Sequence, residues 1–137
     1  MYLLDTNVIS ELRKGARANA GVRSFFSSCN STELFLPVQL IGELRAGAIR
    51  IRRRGDTLQA DRLDMWIDTL TQEYAQQILG FDLECAQLWG WLMGFGPENP
   101  IDKQIAAIAY CYGLTVVTRN QPHFDYPNLQ ILNPFEG

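Results

Sequence analysis

Three carboxylates in this chain, Asp5, Glu43 and Asp102, stand where the local sequence pattern changes, and as a set they are suited to holding a hard cation. Asp5 ends the apolar run Met1-Tyr2-Leu3-Leu4 and is followed by two small hydrogen-bonding side chains, Thr6 and Asn7. An apolar run without alternation suits a central strand covered on both faces. That puts Asp5 at the strand's carboxyl end, where open parallel sheets bind ligands. Asp, Thr and Asn are also common helix N-caps, and a helical pattern of Val8, Ile9 and Leu12 follows at once, so Asp5 alone fits either role. Glu43 lies in a helical segment but off the centre of its apolar stripe, beside Gln39, Leu40, Ala46 and Gly47, and the small neighbours leave room around it. A marginal Glu of this kind is more often a solvated edge residue. Asp102 follows Asn99-Pro100 in the first turn of a helix, where a carboxylate also complements the macrodipole or completes a cap.

Brought together, these acids need a proton or a cation. Two carboxylates about 4 Å apart repel by roughly 4 kcal/mol at an effective dielectric near 20. A divalent ion relieves that repulsion, and an all-oxygen set without His or Cys at ligand spacing favours Mg²⁺ or Mn²⁺ over zinc.

Strands alternating with helices must position the set. After the first strand, Val8 to Arg13 reads as a short helix closed by Gly15, and Ala18 to Phe26 as a second, with Val22, Phe25 and Phe26 inward. Ser27 to Thr32 is turn chemistry, Glu33 to Leu36 a short strand, and Pro37 the first position of a helix running to Arg54. That helix has an apolar stripe of Val38, Ile41, Leu44, Ala48 and Ile51. A second long helix from Leu58 to Gln77, with Leu63, Trp66, Ile67, Leu70 and Tyr74 inward, pairs with it as a hairpin. Ile78-Leu79 is briefly extended, and Leu83 to Phe95 is helical. Asn99 caps a helix from Ile101 to Tyr112 that has Ile101, Ile105 and Ile108 on one face and Gly113 as its stop. Leu114 to Val117 and Leu129 to Leu132 are the last strands. This alternation implies a mostly parallel sheet with helices on both faces. If the Leu114 to Val117 strand lies beside the first, Asp102 and the polar segment Thr118-Arg119-Asn120 share an edge with Asp5.

At 137 residues and 47% apolar, the chain has the size and core of a single domain spanning residues 1–137. No stretch reaches the roughly 20 apolar residues of a membrane span, and no signal-peptide pattern is present, so a soluble protein of the cytoplasm is expected. Cys29, Cys85 and Cys111, odd in number and widely spaced, read as reduced core residues. A net charge of −3 excludes coating nucleic acid by bulk electrostatics and leaves room for a local basic stripe. Arg50 and Arg54 lie near the helical side of Glu43 and suit an RNA backbone, while Arg45, Arg52 and Arg53 point elsewhere. A solvated face or a contact with a partner protein explains the two arginines as well.

The ordered set of strand-Asp5-Thr6-Asn7, Glu43 after the second strand, Asp102 opening a late helix and Thr118-Arg119-Asn120 resembles the PIN-domain proteins, close to the VapC-like and FitB-like toxins of bacterial toxin-antitoxin pairs. The resemblance spans essentially the whole chain, including the closing Ile131-Leu132-Asn133-Pro134. It implies a three-layer α/β/α fold with a small, mostly parallel central sheet. It also implies an Mg²⁺- or Mn²⁺-dependent endoribonuclease that cuts RNA with a metal-activated water, a cognate antitoxin partner and a homodimer. The large apolar residues Trp66, Tyr74, Trp89 and Trp91 agree with the last of these. Carried over by residue, Asp5, Glu43 and Asp102 are metal ligands, Thr6 and Asn7 orient them, and Thr118 and Asn120 line the same edge. The chain departs from the family where a fourth acid commonly stands, three residues after the Asn of the TRN segment. His123 holds that place, with Asp125 two residues on as a possible substitute or His123 itself as a phosphate contact.

Two rival readings share these residues. A phosphatase forming an aspartyl phosphate also begins with strand-Asp, but it usually needs a second Asp two positions on, where Asn7 stands. A catalytically weak PIN-like module that binds RNA or protein fits the departure at His123.

Overall fold

The computed structural model describes residues 1–136. Five strands form one sheet in the order β3-β2-β1-β4-β5, every pairing parallel: β1 (Tyr2–Leu4), β2 (Leu34–Pro37), β3 (Ile78–Leu79), β4 (Thr115–Val117) and β5 (Ile131–Leu132). Leu3 and Leu4 of β1 are both fully buried on opposite faces, as a run without alternation predicts. Leu4 packs into a core with Val8, Val22, Leu36, Leu40, Leu44 and Ile67, which come from α1 (Thr6–Leu12), α2 (Ala20–Ser28), β2, α3 (Val38–Arg53) and α4 (Thr57–Glu73). Leu3 packs into the other core with Cys85, Leu92, Ile105, Ile108 and Val116, which come from α5 (Leu83–Met93), α6 (Pro100–Tyr112) and β4. The result is the expected α/β/α layering, with a sheet that is wholly rather than mostly parallel.

The chain leaves β1 for β2 on one side and returns to β4 on the other, so the order reverses between β1 and β4. Leu4 is in register with Val117, and the Asp5 amide donates to Val117 O at 2.9 Å. Asp5 and Thr118 therefore leave adjacent strands at the switch point, where the two chain ends diverge and open a crevice.

Several boundaries differ from the sequence expectation. Glu33 does not enter the strand: it closes a capping box with Asn30 in a 3₁₀ turn, Ser31–Glu33. Pro37 is the last residue of β2 and the N-cap of α3 rather than its first helical residue. Val38 and Ile101, assigned to apolar stripes, are exposed in the first turns of their helices, while Leu40, half a turn on, and Ile105, a full turn on, are buried. α4 ends at Glu73 rather than at Gln77, and the Gln77 amide Nε2 donates to Leu34 O at 2.6 Å, securing the start of β2. The α3/α4 hairpin is present, and it is pinned by Arg45 and Arg52, both donating to Asp64, with Arg45 reaching Asp68 and Arg52 reaching Asp61.

Asn99 is the N-cap of α6 in position only. It adopts the left-handed conformation, φ 55°, with no side-chain cap, and its carbonyl accepts from the Lys103 amide at 3.0 Å. The loop before it is held by Lys103, whose side chain is fully buried and whose ammonium donates to Gly96 O and, at 2.7 Å, to Glu98 O. The Glu98 carboxylate lies 3.7 Å from the same nitrogen. Gly96 permits this: at φ +146°, a Cβ there would stand 2.5 Å from the Glu98 carboxylate.

Lys103 thus satisfies two carbonyls that would otherwise be stranded under the start of α6. Lys103→Ala is expected to cost about 2–4 kcal/mol, through lost packing and the two unpaired acceptors, and Lys103→Met distinctly less because it keeps the volume. Urea denaturation of the three proteins checks the order; equal losses for Ala and Met would mean that hydrogen bonding alone matters.

Candidate active site

Asp5 is both cap and site residue. Its backbone carbonyl starts α1 by accepting from Val8, and its side-chain Oδ1 accepts from the Thr6 amide at 2.8 Å. The second oxygen, Oδ2, accepts from Asn7 Nδ2 at 3.1 Å and from the Thr118 hydroxyl at 2.8 Å. Asp5 is only 3% exposed, and Thr118 is fully buried. Asn7 Oδ1 in turn accepts from the Arg119 amide, and Thr118 Oγ1 from the Asn120 amide, each at 3.0 Å. Two side chains that follow β1, Asp5 and Asn7, are therefore knitted to two residues that follow β4, Thr118 and Arg119, across more than a hundred positions of sequence.

The other two acids come from the flanking layers. Glu43 extends from the exposed side of α3, and its Oε1 accepts from the Thr6 hydroxyl at 2.7 Å. Asp102, in the first turn of α6, is bonded through Oδ2 to His123 Nδ1 at 2.8 Å. With an ionised carboxylate the proton sits on Nδ1, and Nε2 is left free. Each acid thus has at least one oxygen tied down by a neighbour, and Asp5 has both, which fixes the direction of the carboxylate.

The electrostatics show a surplus of negative charge. The Asp5 carboxyl is pushed up to about 6 from 3.8, first by burial and then by the charges of Asp102 and Glu43, against the hydrogen bonds from Thr118 and Thr6 that favour its ionised form. Among the described residues no lysine or arginine pairs with Asp5, Glu43 or Asp102; nearby Lys103 is turned to carbonyls instead. Oriented oxygens, an excess of charge and no protein counter-cation fit a hard divalent ion. Among the described residues, the donor atoms of the three acids do not all lie within 4.8 Å of one another. Among the described residues, the one group of three possible ligands whose donor atoms all lie within 4.8 Å of one another is elsewhere, at Asp82, Cys85 and Cys111. A wide carboxylate set suits Mg²⁺, which keeps several of its waters and takes one or two protein carboxylates.

Of the remaining candidates, Asn120 contributes its backbone amide rather than its side chain. Asp125 lines a surface hollow with Gln121, Pro122 and Ile131 and, among the described residues, makes no hydrogen bond to any of the three acids. His123, not Asp125, touches the site. Arg50 on α3 and Arg54 at its C-cap are exposed and form no ion pair among the described residues, in contrast to Arg45 and Arg52, which are bound to α4. One contact escaped sequence reasoning: Gln39 Nε2 donates to Gln104 Oε1 at 3.1 Å, joining the helix of Glu43 to that of Asp102. Gln39 lies one turn before Glu43, but nothing in a single sequence pairs it with a residue 65 positions away.

No protein-family model matches the chain. It is 32% identical to a VapC ribonuclease of Sinorhizobium fredii, with 99% of each chain covered. It is 30% identical to Toxin FitB of Neisseria gonorrhoeae, over 98% of this chain and 99% of that one. Among solved structures, the crystal structure of FitAcB from Neisseria gonorrhoeae superposes with a TM-score of 0.82 at 28% identity over the whole of both chains.

Because the folded-state value for Asp5 lies above its unfolded one, the folded protein binds the extra proton. Stability from this group is complete below about pH 4 and is lost as pH rises through about 6, a change on the order of 3 kcal/mol. In chelator, the stability of Asp5→Asn relative to wild type should therefore improve steadily from about pH 4 to about pH 7. Urea midpoints for both proteins across that range test it; a pH-independent difference would mean that Asp5 ionises normally.

Proposed function

The chain belongs to the VapC/FitB family of toxins, and from that premise we propose that it is a metal-dependent endoribonuclease, the toxin of a toxin-antitoxin pair, using Asp5, Glu43 and Asp102 to hold Mg²⁺ or Mn²⁺. The observation that carries this reading is the buried Asp5 carboxylate at the strand-order switch, raised first by burial and then by two further acids, with no lysine or arginine paired to it among the described residues. The metal, when bound, supplies Lewis-acid stabilisation of phosphate charge and an activated water.

The protein's own groups do the positioning. Asp5, fixed by Thr6, Asn7 and Thr118, is the rigid ligand; Asp102 is aimed by His123, and Glu43 by Thr6. Arg50 and Arg54, one helical turn apart on an exposed face of α3 beyond Glu43, receive the RNA backbone. The cognate antitoxin is the proposed protein partner. A second copy of the chain is also proposed, meeting it over exposed apolar side chains such as Trp91 and Phe95, and the protein is proposed to act in the cytoplasm. No helix of the described residues is long and apolar enough to cross a membrane.

Asp5→Asn, Glu43→Gln and Asp102→Asn are each expected to lower RNA cleavage at saturating Mg²⁺ on the order of a hundredfold or more while the fold persists. A variant that still cuts like wild type would lose its place among the ligands. Arg50→Ala with Arg54→Ala should weaken RNA binding uniformly across sequences and flatten its salt dependence, leaving metal affinity alone.

His123 in place of an acid favours a second reading, a weak or non-cleaving RNA-binding module. Intact RNA after incubation with wild type and either Mg²⁺ or Mn²⁺, despite measurable binding, would establish it. In a metal titration of cleavage, His123→Asp should shift the curve to lower metal concentration, since it adds a carboxylate where only an imidazole stands. Asp125→Ala should superimpose on wild type.

A further inference from the structure

We propose that Asp82, Cys85 and Cys111 form a second cation site, chemically unlike the carboxylate site at the sheet edge, which binds Zn²⁺ and ties the first turn of α5 to the last turn of α6. This rests on the fold alone and is independent of the proposed nuclease activity. One carboxylate oxygen and the two sulfurs all lie within 4.8 Å of one another. The sulfurs, from residues 26 positions apart, are 3.3 Å apart. Cys85 is in the core, Cys111 is partly exposed and Asp82 is exposed, so an ion can enter from solvent and keep a water as its fourth ligand.

The geometry favours a metal over a disulfide. Tetrahedral zinc with bonds of about 2.3 Å to sulfur spaces two thiolates by roughly 3.8 Å, whereas a disulfide needs about 2.0 Å. The pair must open by only about half an ångström for the first and close by more than twice that for the second. Asp82 is already oriented as a ligand, because its Oδ1 accepts from the Cys85 amide at 3.0 Å, and that backbone bond holds its carboxyl below the usual range. Zinc binding to thiols releases their protons, so the site should bind more tightly as pH rises. Two sulfurs and one oxygen select zinc over the magnesium suited to the acids of the sheet edge.

Cobalt(II) reports such a site without reference to activity. Titrated into the full-length reduced chain, Co²⁺ should raise a thiolate-to-cobalt charge-transfer band in the near ultraviolet that saturates at a single equivalent and is bleached by Zn²⁺. Cys111→Ser, a change at a partly exposed position, should abolish the band with the fold intact by circular dichroism, as should the more demanding Cys85→Ser. Asp82→Asn should weaken cobalt binding by about tenfold or more. Cys29→Ser and Asp5→Asn should leave the band unchanged. A band that survives Cys111→Ser, or no band while all three thiols remain titratable, would overturn the site. Thiols lost together with a mass lower by two hydrogens would replace it with a disulfide.

Discussion

A carboxylate buried at the end of the central strand is the constraint on which the rest of the site depends. Asp5 is costly to bury ionised, and three directed donors answer that cost: the Thr6 amide at the start of α1, the Asn7 amide group and the Thr118 hydroxyl just past the neighbouring strand. These donors lower the cost without removing it, since the net effect still raises the carboxyl to about 6. An aspartate kept in so unfavourable a place is a common mark of function rather than of stability. The same bonds also hold the carboxyl ends of β1 and β4 together where the sheet reverses, so the site and the topology share their fastenings.

The flanking layers extend this principle of fixed direction. Thr6 is shared, its amide serving Asp5 and its hydroxyl Glu43, so two of the acids are registered by one residue. Asp102 is steadied from two sides, by His123 on its carboxylate and by the Lys103 cage beneath the turn that carries it. The fully buried Ala106 and Ala107, with Ile105 and Ile108, let α6 lie close on the sheet and bring Asp102 to the edge. Three of the cations near these layers are committed elsewhere: Arg45 and Arg52 lock the α3/α4 hairpin through Asp64, and Lys103 is spent on carbonyls. The acids consequently meet with an uncompensated negative charge, which is the property a metal site requires.

The sequence by itself determined the element order and the parallel α/β/α plan and singled out the three acids as candidates, because each of these rests on a local signal. The apolar run before Asp5, the period of α3 and the Gly113 stop, which takes the left-handed C-cap at φ 66°, are all legible within a dozen residues. Where local signals were ambiguous, tertiary context decided. Pro37 fits a strand end as well as a helix start. Periodicity marked Val38 and Ile101 as apolar, but it does not say which first-turn positions stay exposed. Asn99 has the composition of a cap, yet the buried Lys103 fixes its carbonyl and backbone instead.

Contacts between distant residues were beyond the reach of a single sequence. Thr118 with Asp5, Gln39 with Gln104, His123 with Asp102 and Cys85 with Cys111 are separated by 113, 65, 21 and 26 positions. Periodicity places a side chain on a face of its own helix or strand, but it carries no information about which face of another element lies opposite. The packing of two layers on one small sheet supplies that information. It turned a histidine standing where an acid was expected into the hydrogen-bond partner of Asp102, and two cysteines read as unrelated core residues into neighbours.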